Sequence, residues 1–119
     1  MGTFSVTVDV VNPLDPTKHA TLDCLVDSGA TYSILPTPVL EQLGIRPLRE
    51  DTFKVATGER RTWRMGGVEL RVDGRSGWSM AVFGPVEAVP VLGAHGLEAL
   101  GLGIDPVHRR LIPVAPLAL

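Results

Sequence analysis

The stretch Cys24-Leu-Val-Asp-Ser-Gly-Ala-Thr-Tyr-Ser-Ile-Leu-Pro36 places one carboxylate between two apolar runs. Cys24, Leu25 and Val26 read as the end of a buried strand, and Ser33 to Leu35 read as part of another. Asp27 therefore falls in a turn whose two ends are anchored in a core. Gly29 lets the backbone bend sharply and approach a neighbour. Ser28 offers a hydroxyl that can bond to another backbone. Such a loop holds a carboxylate in one place. Either it is a polar turn or it presents a working group.

Working outward, Thr3 to Val11 alternates: Phe4, Val6, Val8 and Val10 on one side, Ser5, Thr7 and Asp9 on the other. That is a half-buried strand. Asn12 to Lys18 contains two prolines, with Asn12 and Asp15 to shape a turn. His19 to Val26 resumes a strand, so the pair forms a hairpin leading into Asp27. Tyr32 to Leu35 is a short strand. Thr37 to Ile45 is punctuated as a helix, with Thr37 as N-cap, Pro38 in the first helical position and Gly44 as the stop. Asp51 to Met65 reads as a second hairpin with Thr57-Gly58-Glu59 near its tip. Gly67 to Phe83 reads as a third, turning at Asp73-Gly74. Val89 to Leu92 is a short apolar strand, Ala94 to Gly101 a short helix, and Arg109 to Leu119 a proline-interrupted strand. Strands with two short helices make the class all-β.

The chain has 119 residues, 45% hydrophobic and 20% charged, with a net charge of −2 and a pI near 5.8. That suits one domain spanning residues 1–119. The absence of a basic stripe argues against a nucleic-acid partner. No apolar run approaches membrane-spanning length and no basic-then-apolar leader opens the chain, so a soluble, cytoplasmic protein without a membrane partner is expected. The single cysteine, Cys24, excludes an intrachain disulfide and reads as a small buried hydrophobe. His19, His95 and His108 have no metal-ligand spacing, so no metal is expected. Arg60-Arg61 and Arg109-Arg110 read as solvated faces, and Trp63 and Trp78 as packing residues.

Leu25-Val-Asp-Ser-Gly-Ala30 resembles the active-site signature of retropepsin-like aspartic proteases, in which two apolar residues precede Asp-Ser/Thr-Gly-Ala/Ser. That family's second element, two apolar residues and a glycine before a short helix, is matched by Val91-Leu92-Gly93 and the segment to Asp105. The hairpin Phe53 to Trp63 falls where the family has its flap, and its Ala56-Thr-Gly-Glu-Arg60 tip is similar to bacterial single-domain members. The resemblance covers roughly Val8 to Val114. It implies a closed β-barrel with two short helices, the acid-protease fold. It implies that Asp27 is catalytic, that Ser28 and Gly29 set its loop, and that Ala30 and Thr31 contact substrate. Ala56, Thr57, Gly58 and Glu59 would close over the substrate, and Val91, Leu92 and Gly93 would pack beneath the loop. No cofactor is implied. The viral members carry an acidic residue two after the glycine and an arginine after the second apolar-apolar-Gly. Thr31 and Ala94 stand there instead, so the loop must be supported another way.

The implied chemistry needs two carboxyls acting on water and a peptide bond as base and acid. Only Asp27 sits in Asp-Ser-Gly, and 119 residues leave no room for a second lobe. A two-fold homodimer that brings Asp27 and its copy together resolves this, with a peptide or protein as substrate. The apolar tail Leu111 to Leu119 would then interleave at the interface. The competing expectation is a weak or inactive dimerisation or peptide-binding module on the same fold.

Overall fold

A computed structural model of the chain describes residues 3–114. Nine strands and two helices follow in the order β1 (Ser5–Asn12), β2 (Asp15–Val26), β3 (Ser33–Pro36), α1 (Thr37–Gln42), β4 (Arg49–Lys54), β5 (Arg60–Val72), β6 (Arg75–Gly84), β7 (Val91–Leu92), α2 (Ala94–Leu100), β8 (Leu102–Asp105) and β9 (Arg110–Pro113). Seven strands form one sheet in the order β1-β2-β7-β3-β6-β5-β4. A further antiparallel pairing of β1 with β5, Asp9 to Val11 against Arg71 to Glu69, returns that sheet upon itself. Strands β8 and β9 form a separate pair.

The alternation of β1 is realised as burial. Val8 and Val10 are fully buried, and Cys24 and Val26 meet them from β2. Leu35, Leu40, Leu70, Phe83, Leu92, Leu97 and Leu100 complete the core from the other elements. Each such side chain contributes roughly 1.5–3 kcal/mol when fully removed from water. The alternation stops at Val11, which is also buried, where a bulge follows before Asn12. Asn12 is the buried polar residue of this corner. Its amide donates to the Leu43 carbonyl at 2.8 Å while its oxygen accepts from the Leu14 amide at 2.8 Å. The first turn thus also closes the end of α1.

Four local expectations differ from the structure. The turn expected over Asn12 to Lys18 is confined to Pro13-Leu14, and β2 is already under way at Asp15. Pro36, not Thr37, occupies the N-cap of α1, because the Thr37 hydroxyl donates to the Gly84 carbonyl at 2.7 Å and ties the helix to β6. The second and third hairpins share one unbroken strand, β5, rather than parting at Gly66-Gly67. Gly66 is there for close packing: a Cβ would lie 2.9 Å from the Phe83 ring and 3.0 Å from the Arg46 carbonyl. The strand before α2 is only Val91–Leu92. The turn at Asp73-Gly74 is as read, with both residues at positive φ, 50° and 78°. The C-terminal strand extends through Pro113, and the last part of the expected interface tail, 115–119, lies outside the described residues.

Candidate active site

Asp27 begins the loop between β2 and β3, and its carboxylate is exposed. The loop is braced mainly by backbone. The Asp27 amide donates to the Leu92 carbonyl at 3.0 Å, continuing the parallel β2–β7 ladder that pairs Val26 with Leu92. The Asp27 carbonyl accepts from Ala30 at 3.2 Å, and one Asp27 carboxylate oxygen accepts the Gly29 amide at 2.8 Å. The carboxylate is thereby oriented by its own turn, as Asp-x-Gly sequences permit. Ser28 and Gly29 are exposed beside it.

The far side of the loop rests on the start of α2. Ala94 donates to the Ala30 carbonyl at 2.7 Å and His95 donates to the Thr31 carbonyl at 3.0 Å. The Gly93 amide donates to the buried Ser33 hydroxyl at 3.1 Å. A Cβ on Gly93 would sit 2.6 Å from the Tyr32 carbonyl and 2.7 Å from the Ala30 oxygen, so only glycine allows this approach. Four consecutive residues, Leu92 to His95, therefore hold the Asp27 loop. These backbone bonds supply the support that the side chains of Thr31 and Ala94, lacking charge, cannot.

A cleft of about 550 Å³ opens beside the loop. Ala30 and Thr31 line it, together with Tyr32, Ile34, Val82, Pro85, Ala88 and Val89. Tyr32 packs edge-on to Phe53, with centroids 6.2 Å apart, and tilts against His95 at 4.7 Å. The β4–β5 hairpin forms the other wall with Phe53, Lys54, Val55, Arg61 and Trp63. Ala56, Thr57, Gly58 and Glu59 lie at the hairpin tip, which the Val55 amide closes on the Glu59 carbonyl at 2.9 Å, and they are not part of the cleft wall. The hairpin's arms face the cleft instead. Asp27 also stands outside the wall of this single-chain cleft.

Two residues change their reading. Trp63, expected in packing, is half-buried in the cleft wall, and Trp78, also expected in packing, is 72% exposed on β6. Arg61 is exposed, as expected of a solvated face, and lines the cleft as well. Tyr32, Ile34, Phe53 and Val82 were not distinguished by the sequence pattern, which marks apolar positions without separating a concave face from a core. Cys24 is buried, and burial, aided by the Asp23 charge, pushes its thiol from 9.0 up to about 12. His19 pairs with Asp9 at 3.0 Å and His108 with Asp105 at 2.8 Å. Among the described residues no three potential ligands converge on a metal position, and no helix is long and apolar enough to cross a membrane.

Comparison with known proteins places this geometry. The fold resembles the simian foamy virus (mac) protease, with a TM-score of 0.58 and 20% identity over 79% of this chain and 91% of that one. It also resembles the EIAV protease, solved with the inhibitor HBY-793, with a TM-score of 0.60 and 21% identity over 84% of this chain and 89% of that one. A comparison with curated protein sequences gives no match. The aspartyl protease family model matches residues 6–105, which takes in both the Asp27 loop and its support. The chain belongs to the aspartyl protease family and has the retropepsin-like fold.

Proposed function

We propose that the protein is an aspartic endopeptidase that works as a homodimer, with Asp27 of each copy forming the catalytic pair. The observation that carries this reading is the Asp27 carboxylate, exposed on a loop anchored at both ends and standing outside the wall of the cleft beside it. Three aspartates elsewhere in the chain have local partners or turn positions. Asp51 holds Arg49 at 3.0 Å, Asp105 holds His108 and Arg110, and Asp73 makes the β5–β6 turn. A second copy supplies the missing group.

Two carboxyls held face to face cannot both carry full charge, so they share one proton. The ionised carboxylate takes a proton from water as the water oxygen adds to the peptide carbonyl carbon. The protonated carboxyl gives its proton to the carbonyl oxygen. Collapse of the tetrahedral adduct breaks the C–N bond: the departing nitrogen takes the proton that the first carboxylate had drawn from water, and one adduct hydroxyl returns its proton to the second carboxylate as the new carbonyl forms, which restores the singly protonated pair. Ala56 to Glu59, at the tip of a hairpin above the cleft, would close over the bound chain and exclude water.

The test is digestion of a diverse peptide mixture from acid to neutral pH by wild type and Asp27→Asn. Wild type should cut internally with a bell-shaped pH profile, and Asp27→Asn should lose at least about a thousandfold while remaining a dimer in sedimentation. Cleavage retained by Asp27→Asn would sink the mechanism. Two dimers that cut nothing would instead point to a peptide-binding module.

A further inference from the structure

The cleft wall is charged on one side only. Its apolar part comes from Tyr32, Ile34, Phe53 and Val82, its charged side chains are Lys54 and Arg61, and no carboxylate belongs to it. Arg61 stands directly opposite Phe53 in the β4–β5 ladder. Cross-strand partners share a face, so the two side chains project from the same side of the hairpin. Lys54, next along β4, lines the same cleft and adds a second positive charge to it. Asp51 lies on the Arg61 face but is taken up by Arg49 at 3.0 Å. Among the described residues no acidic side chain is paired with Arg61 or Lys54.

We propose that this cleft selects peptides by a large apolar side chain seated against Tyr32, Ile34, Phe53 and Val82 and a neighbouring Asp or Glu side chain held by Arg61. This rests on the protease reading and names its substrate class. The apolar cleft wall gains by excluding water from a bulky side chain. The guanidinium offers two parallel donors to a carboxylate, which a lysine beside the same apolar residue would meet with repulsion. Because Arg61 is exposed, the preference weakens as salt screens it.

The experiment uses two rhodamine-labelled peptides that differ only in Glu or Lys beside a common Leu-Phe core. Their binding to the Asp27→Asn protein is followed by fluorescence anisotropy, so that no turnover intervenes. The Glu peptide should bind roughly tenfold tighter at low ionic strength, and the gap should shrink in ~0.5 M salt. Arg61→Glu should invert the preference, Arg61→Gln should abolish most of it, and Arg61→Lys should keep part. Arg61→Gln and the salt series decide the matter if the charge reversal fails to fold. Equal affinities, no binding by either peptide, or a preference unchanged in Arg61→Gln would overturn the proposal. Wild-type digests separate it from the protease reading. Cutting without acidic bias removes the specificity alone, whereas Glu-selective binding without cutting removes the protease alone.

Discussion

Cys24 lies three residues before Asp27, yet its environment is the opposite one. The thiol keeps its proton in the folded chain up to about pH 12, while in the unfolded chain it ionises from about 9.0. Its contribution to stability is therefore complete below pH 9 and is lost as pH rises toward 12. Over that window the loss amounts to about 1.4 kcal/mol per pH unit. Urea unfolding across pH 8 to ~11 should show a falling midpoint in wild type and a shallower fall in Cys24→Ala. Equal slopes in the two proteins would assign the alkaline loss elsewhere. The roles of Cys24 and Asp27 in the fold were legible because flanking apolar residues say which is inside and which sits at a turn. Tyr32, Phe53 and Trp63 were not, since an aromatic ring on a strand looks the same whether a core or an open cleft receives it. The exposure of Arg61 was legible but its place in the cleft wall was not, because the two are compatible.

Hairpins and helices show the same division between local and distant causes. The turn at Asp73-Gly74 and the stop at Gly44 were legible because they depend on backbone angles that few residues tolerate. The end of α2 at Gly101, φ 67°, was legible for the same reason, but the side chain that satisfies it was not. Arg75, at the start of β6, donates to the Leu100 carbonyl at 2.6 Å and so satisfies the helix C-terminus from 25 residues away. Arg75→Ala should lower stability by about 1 kcal/mol, a fall of roughly 4 °C or more in Tm. Amide exchange should quicken in α2 while β1 and β2 keep their protection. Unchanged exchange in α2 would show that the bond carries no weight. The continuity of β5 through Gly66-Gly67 was hidden likewise, because the reason for glycine there is the Phe83 ring on another strand.

For the molecule as a whole, the paired-carboxyl reading makes a prediction that a one-chain enzyme does not share. When wild type and Asp27→Asn exchange subunits in equal amounts, about a quarter of the dimers hold two Asp27 carboxyls. Activity per wild-type chain should then fall to about half that of wild type alone. A self-sufficient single chain would show no such fall. One Asp-Ser-Gly in 119 residues is what raises the expectation of a second copy, and the fold class was legible from strand alternation with two short helices.

The bonds that brace the Asp27 loop reach across most of the chain. Asp27 leans on Leu92, and Ser33 holds Gly93 60 residues later. During synthesis Asp27 leaves the ribosome long before those partners exist. Such non-local pairing also makes folding slow compared with a helical domain of this size. The chain is thus unarmed through its own translation: the loop acquires its geometry only after Leu92 to His95 have emerged and docked.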